Sequence, residues 1–85
     1  MQKIEFAGRK NIVGARVRAA RAERGISQGA LAAQLQTLGV IIDQQMVSRV
    51  ERGLRIVTDY ELACLCRVLR MPPEALLADA LGPKL

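Results

Sequence analysis

The sequence predicts an all-α fold in which five helices form one compact bundle. The chain has 85 residues, which is the size of a single domain. Hydrophobic residues make up 51% of it and aromatic residues only 2%, so the core must be built from aliphatic side chains, as packed helices allow. Apolar residues also recur at helical spacing after capping signals of one repeated form.

Three predicted helix starts share this form. In each, a capping side chain stands between two apolar residues that are placed to close a hydrophobic staple. The capping residues are Ser27, Asp43 and Thr58. Glu61 lies three positions after Thr58 and completes a capping box. These signals place the starts of the second, third and fourth helices.

Glycine and proline define the predicted helix ends. Gly25, Gly39 and Gly53 suit the left-handed position that follows a helix, and Pro73 suits the first turn of a short fifth helix. The predicted helices span residues 11–24, 28–38, 44–52, 59–70 and 73–80. The side chains predicted to face the core are Val13, Val17, Ala20, Leu31, Ala32, Leu35, Leu62, Leu65, Cys66 and Leu69.

The charge of the chain favours a polyanionic partner. Lys and Arg total 13 against 8 Asp and Glu, which gives a formal charge of +5. Nucleic acid is the first candidate for such a balance and an anionic membrane the second. No apolar run approaches the roughly 20 residues of a membrane span, and the first residues lack the apolar core of a signal peptide. We therefore expect a cytoplasmic protein with no membrane partner.

The composition gives no support for a metal site or an enzyme. Two cysteines and no histidine argue against zinc. The chain has no Gly-rich phosphate loop and no convincing pair of nucleophile and base. We therefore predict no catalytic residue, no metal ligand and no cofactor.

The predicted third helix has two contrasting faces. At 100° per residue, Met46, Val47 and Val50 fall on one side. The other side carries hydrogen-bonding residues and no carboxylate, namely Gln44, Gln45, Ser48, Arg49 and Arg52. An ordinary solvated face is the alternative for any single residue, but such faces usually mix Glu and Lys. Because Gln pairs with adenine and Arg with guanine, we predict that this helix reads bases in the major groove of double-stranded DNA through Gln44, Gln45, Ser48 and Arg49.

Contacts to the DNA backbone are predicted at both ends of this reading unit. The N-termini of the second and third helices offer free N–H groups to phosphate oxygens. Gln28 lies just inside the second helix and could add a side-chain contact. Arg52 and Arg55, with Arg49, form a basic run at the far end of the third helix, which either clamps phosphates or only solvates that edge.

Three stretches of the chain resemble a known family. They are RAARAERGISQGALAAQL, followed by VSRVERG, and YELACLCRVLRMPPEAL. Together they resemble the Cro/cI-type (XRE-like) helix-turn-helix DNA-binding domains of phage repressors and bacterial transcriptional regulators, over residues 13–77. The resemblance implies a bacterial or phage-encoded transcriptional repressor with a five-helix bundle of the lambda-repressor-like type. In it, helices 2 and 3 form the DNA-reading unit.

The resemblance also implies roles for individual residues. Gln28 would contact phosphate, and Gln44, Gln45 and then Ser48 would read bases. Arg21 and Glu51 match an Arg and a Glu that many members pair, and we interpret them as a partly buried structural ion pair. The connection between helices 2 and 3 departs from the family, because it is about five residues longer than the usual tight turn. We expect Val40 or Ile41 to pack over the end of helix 2.

The ends of the chain leave alternatives open. We assign the DNA-binding domain to residues 11–80, a C-terminal tail to 81–85, and an N-terminal arm to 1–10 that is either a disordered start or reaches DNA. An exposed fifth helix with Leu76, Leu77 and Leu81 would serve a homodimer on a palindromic operator with half-sites about 34 Å apart. The alternative is a protein-interaction module, such as an antitoxin that binds a toxin.

Overall fold

The computed structural model describes residues 5–78, in which five helices follow one another without a β-strand. The helices are α1 (Gly14–Glu23), α2 (Gln28–Thr37), α3 (Gln44–Glu51), α4 (Asp59–Leu69) and α5 (Pro73–Leu76). The all-α prediction is confirmed, with each helix shorter than expected. The largest differences are α1, which begins three residues later than predicted, and α5, which has only 4 residues. The last two residues of the predicted fifth helix lie outside the described part of the chain.

The three predicted capping residues all bind the first turn of their helix. The Ser27 hydroxyl accepts the N–H of Ala30 at 3.0 Å, and the Asp43 carboxylate accepts that of Met46 at 2.8 Å. Thr58 forms the complete capping box, because the Glu61 carboxylate also accepts the Thr58 N–H at 3.0 Å. These bonds satisfy N–H groups that a helix start leaves without an intrahelical acceptor.

The first three helices end in one shared motif. At the end of α2, Gly39 has φ 89°, the N–H of Val40 donates to the Leu35 carbonyl at 3.2 Å, and that of Gly39 donates to Gln36 at 3.0 Å. These two bonds define the Schellman motif, and Val40 packs back onto Leu35. α4 ends in the same way, but its left-handed residue is Arg70, with φ 56°. No glycine marks that end in the sequence.

The core lies where α1, α2, α3 and α4 meet, and α5 closes it from one side. The side chains that we predicted to face inward are buried, except for Leu62, which is half-buried. Two residues of the α2–α3 connection, Val40 and Ile42, join the core. Ile41 between them is 88% exposed, so Val40 packs over the end of α2 and Ile41 does not.

Residues 5–10 of the N-terminal segment are hydrogen-bonded to one another and to the end of α3. Phe6 and Arg9 exchange two backbone hydrogen bonds of 2.7 and 3.0 Å around a tight turn. The N–H of Lys10 then donates to the Gly53 carbonyl at 2.8 Å. The side chain of Arg9 lies over Gly53, where a Cβ would be 2.9 Å from Arg9 Cγ. Residues 5–10 thus form a turn that is bound to Gly53 after α3, and residues 1–4 lie outside the described part.

Asn11 joins the start of α1 to the end of α3. Its amide nitrogen donates to the carbonyls of Val50 at 3.0 Å and Arg55 at 2.8 Å. Its amide oxygen accepts the N–H groups of Val13 at 3.1 Å and Gly14 at 2.8 Å. Every hydrogen-bonding group of this buried side chain is thus satisfied, which makes it a strong tie between distant segments. The sequence identified Asn11 only as the first residue of a helix.

The fifth helix does not present the apolar surface that we predicted. Leu76 is 0% exposed and belongs to the core, and Leu77 is half-buried against it. Leu81 lies outside the described residues. The prediction of a Leu-rich docking surface is therefore wrong for Leu76, because α5 uses that side chain to close the bundle.

Candidate nucleic-acid interface

The two faces of α3 are arranged as the sequence indicates. Val47 and Val50 are buried, and Met46 is half-buried against the core. On the opposite face, Gln44, Gln45, Arg49 and Arg52 are exposed, and Ser48 is half-buried. The structure thus brings these predicted DNA contacts together on one outward face of a helix whose other face is fixed by packing.

The N-terminal turns of α2 and α3 lie side by side. The Gln44 side-chain oxygen is 3.5 Å from the position that a Cβ would take at Gly29. Gln28 and Gly29 begin α2, and Gln44 begins α3. Two helix N-termini therefore share one surface, and each contributes partial positive charge. This surface suits an anionic ligand such as the phosphate backbone beside a groove.

Arg21 and Glu51 form the ion pair implied by the family resemblance. Arg21 Nε lies 2.6 Å from one Glu51 oxygen, and Arg21 Nη2 lies 3.2 Å from the other. The remaining arginine nitrogen, Nη1, donates to the Ile26 carbonyl at 2.9 Å. One guanidinium thereby joins α1, the start of α2 and the end of α3. The hydrogen bond to Glu51 raises the pKa of Arg21, so the guanidinium keeps its charge.

Gln28 takes part in the same network. Its amide nitrogen donates to Glu51 at 3.0 Å, so one of its two N–H groups has a protein partner. The bond holds the amide at the start of α2 and leaves the second N–H for another acceptor. A phosphate contact by Gln28 remains a prediction, and Glu51 would orient the side chain for it.

Arg55 has a structural partner that the sequence did not reveal. Its two terminal nitrogens each bind one Glu61 oxygen at 3.0 Å, a bidentate pair at the start of α4. The hydrogen bond from Arg55 is the main reason that the pKa of Glu61 is lowered. Because both ends of the guanidinium are committed to this pair, Arg55 is not assigned to phosphate. The prediction rested on the basic run alone, which gives a side chain's charge but not its direction.

Arg49 and Arg52 carry the positive charge of the interface. Within the described part of the chain, neither side chain forms a hydrogen bond or ion pair. The neighbouring carboxylates, Glu51 and Glu61, are each covered by an arginine. Asp43 is exposed at the start of α3, where its carboxylate caps the helix. The outward face therefore combines amides and unpaired guanidinium groups, which is the chemistry that reads base edges and phosphates.

Comparison with known families agrees with this arrangement. The family model described as "Helix-turn-helix domain" matches residues 12–80, most of the chain and all five helices. The chain belongs to the helix-turn-helix domain family. Membership indicates DNA binding and a part in transcription regulation, and α2 and α3 are the two helices of the motif. No match was found among curated proteins or among solved structures.

The connection between α2 and α3 of this helix-turn-helix domain packs partly into the core. Residues 38–43 include two buried side chains, Val40 and Ile42, and the fully outward Ile41. The sequence predicted that Ile42 precedes the cap of α3 and that Val40 or Ile41 packs over the end of α2. It did not decide between Val40 and Ile41, because alternation within a loop gives no reliable inside and outside. Within residues 5–78, no helix is long and apolar enough to cross a membrane. The same residues contain no cluster of side chains that could hold a metal ion.

Proposed function

We propose that this helix-turn-helix domain is a sequence-specific regulator of the Cro/cI type that binds double-stranded DNA and represses transcription. One observation carries the proposal. α3 is fixed to the core along one face and presents Gln44, Gln45 and Arg49 outward, and the carboxylate next to Gln44, that of Asp43, caps the helix. Such a helix fits the major groove, where glutamine and arginine distinguish base pairs. Repression is supported by the resemblance to phage repressors.

The residues divide into two roles in this proposal. Gln44, Gln45, Ser48 and Arg49 read base edges from the exposed face of α3. Arg52, at the end of α3, and Gln28, at the start of α2, contact phosphates on either side. The phosphate contacts fix the register of the helix, and the base contacts supply the sequence preference.

We further propose that the domain binds a palindromic operator as a homodimer. A twofold dimer presents two copies of α3 to half-sites about 34 Å apart and so doubles the contacts that a small domain can make. The dimer surface is assigned to Leu54, Ile56 and Tyr60, which are exposed and line one shallow groove between α3 and α4. This patch replaces the fifth-helix surface, because Leu76 is in the core.

The first test is selection from a randomised duplex library at two salt concentrations, followed by sequencing. An enriched palindrome supports a sequence-specific dimer. Binding without an enriched motif contradicts base reading and leaves only charge-driven affinity. An absence of binding at both salt concentrations contradicts the proposal as a whole and favours the protein-interaction alternative, such as an antitoxin.

The division of roles is tested with three alanine variants on the selected duplex. Gln44→Ala is expected to lose about 1–3 kcal/mol of binding free energy and to relax the base preference at one position. Arg52→Ala is expected to weaken selected and random duplexes alike and to reduce the salt slope by about one. Arg67→Ala is the matched control, because it removes an exposed arginine from α4, outside this face. Equal losses for Gln44→Ala on both kinds of duplex would contradict its role in base reading.

A further inference from the structure

Ile41 is a large apolar side chain that the fold holds in solvent. It is 88% exposed, whereas its neighbours Val40 and Ile42 are 4% and 7% exposed. Single exposed apolar residues are common on protein surfaces, so exposure alone would mean little. Ile41 also stands in the segment by which this chain's α2–α3 connection exceeds the usual turn, directly before the helix that is proposed to enter DNA.

The connection around Ile41 is fixed on both sides. Val40 N donates to the Leu35 carbonyl at 3.2 Å, and the Gln36 side-chain nitrogen donates to the Ile42 carbonyl at 2.7 Å. The next residue, Asp43, is held by its capping bond to Met46 at 2.8 Å. With two buried neighbours and three anchoring hydrogen bonds, the backbone of Ile41 has little freedom to turn the side chain inward.

Ile41 lies just before the N-terminal end of α3, which is the end proposed to enter the major groove first. It precedes the N-cap Asp43 by two residues and the proposed base reader Gln44 by three. In helix-turn-helix complexes the N-terminal residues of the recognition helix contact base edges. The other exposed aliphatic side chains near α3, Leu54 and Ile56, follow its opposite end.

The chemistry of the major groove limits the base features that an aliphatic side chain at position 41 can recognise. Base edges in the major groove offer hydrogen-bond donors and acceptors and one apolar group, the 5-methyl group of thymine. Isoleucine has no hydrogen-bonding atom in its side chain, so the methyl group is the feature to which it is complementary. Burial of one methyl group corresponds to about a fourfold gain in affinity.

We propose that Ile41 is a specificity-determining residue that contacts a thymine methyl group beside the base pair read by Gln44. The inference rests on the proposed DNA-binding function and deepens it. In this proposal the longer α2–α3 connection contributes to specificity, because it adds an apolar base contact to the polar contacts of α3. The expected preference is for thymine at one position of each half-site.

The test begins with parallel selections from one randomised duplex library, using the wild-type chain, Ile41→Ala and the control Phe6→Ala, which removes an exposed apolar side chain outside the proposed interfaces. Because Ile41 is almost fully exposed, Ile41→Ala is expected to melt within about 2–4 °C of wild type. Wild type and Phe6→Ala should enrich thymine at the position beside the Gln44 contact. Ile41→Ala should enrich the same motif without that thymine. An identical motif for wild type and Ile41→Ala overturns the inference.

The second arm removes the methyl group from the DNA. Each thymine of the wild-type motif is replaced in turn by deoxyuridine, which keeps every hydrogen-bonding group of the base. At one position the change should weaken wild-type binding about fourfold and leave Ile41→Ala unaffected. Equal losses in both proteins, or no loss at any position, overturn the inference while DNA binding stands. A wild-type chain that binds no duplex defeats the proposed function itself.

Discussion

Glu51 and Glu61 are carboxylates that the fold buries, and each is bound by an arginine with nearly ideal geometry. Their roles differ. Glu51 accepts bonds from Arg21 and Gln28 and so organises the start of α2, next to the proposed interface. Glu61 binds Arg55 and caps α4, so it serves the bundle alone. Both pairs also remove negative charge from the neighbourhood of a polyanion.

The Glu61 pair gives a prediction on acid stability. Because hydrogen bonding to Arg55 lowers the pKa of Glu61 in the folded chain, the pair stabilises the fold fully above the ordinary glutamate pKa of about 4.3. This stability is lost as the pH falls through the lower folded-state pKa. In Glu61→Gln the contribution is absent, so the free energy of unfolding should fall less between pH 5 and pH 2 than in wild type. Urea unfolding across that range, with the exposed Glu23→Gln as control, measures it. If the free energy of unfolding falls equally with pH in wild type and Glu61→Gln, the stabilising role of the Glu61–Arg55 pair is contradicted.

At the residue scale, the sequence indicated which side chains bear charge more reliably than where they point. The Arg21–Glu51 contact followed from a family resemblance, since the two residues lie thirty positions apart. Arg55 was assigned to DNA from its basic neighbours, and its partner Glu61 was assigned only to a cap. A flexible side chain of four rotatable bonds selects its partner in three dimensions, which no local pattern records.

The helix ends show what local signals can and cannot predict. Ser27, Asp43 and Thr58 cap groups within three residues, so the sequence contains both partners of each bond. Asn11 binds the Val50 carbonyl, 39 residues away, and its role depends on how α1 meets α3. The glycine ends were likewise predictable. The end of α4 was predicted from Pro72 and Pro73, which follow it. The left-handed residue at this end was not predicted, because it is Arg70 and not a glycine.

That arginine gives a prediction at the scale of the element. Arg70 has φ 56° and ψ 51°, a conformation that costs an L-residue about 1–2 kcal/mol and glycine far less. Arg70→Gly should therefore be more stable than Arg70→Ala by about 0.5–1 kcal/mol, after allowance for the larger entropy of unfolded glycine. The alanine variant removes the same side chain and keeps the strain, so the pair isolates the backbone. Thermal or urea unfolding gives the difference.

A reciprocal variant checks the cause. Gly39 ends α2 with φ 89° and has no atom within 4 Å of an added Cβ, so Gly39→Ala adds backbone strain without a clash. Gly39→Ala should lower the free energy of unfolding by about 1 kcal/mol, because it adds the left-handed strain that Arg70→Gly removes. If Arg70→Gly proves less stable than Arg70→Ala, the left-handed end of α4 is not a source of strain.

Within residues 5–78 the bundle encloses most of its apolar side chains, but several large ones stay exposed, and Leu54, Ile56 and Tyr60 lie together. The fold buries Leu76, which closes the core from one side, so this residue does not belong to the docking surface that the sequence predicted for the C-terminal helix. Leu54, Ile56 and Tyr60 remain exposed together after α3. Overall topology followed from the helix pattern, whereas the choice between surface and core depended on packing that the pattern does not specify.

The patch of Leu54, Ile56 and Tyr60 is expected to control assembly. If Leu54, Ile56 and Tyr60 meet their twofold copies, Ile56→Glu places two like charges in an apolar contact and should convert the dimer to a monomer with an unchanged fold. Sedimentation should show the halved mass, and affinity for the selected palindrome should fall about a hundredfold, because linked half-sites lose their joint binding. Affinity for a single half-site should change little.

Phe6→Glu is the matched control for that experiment, since Phe6 is exposed on the N-terminal turn rather than among Leu54, Ile56 and Tyr60. It adds the same charge to the chain, so a general electrostatic loss of DNA affinity would appear in both variants. A selective loss in Ile56→Glu assigns the effect to the patch. If the wild-type chain stays monomeric at concentrations that saturate the palindrome, the proposed dimer is contradicted. Two copies would then bind the half-sites independently.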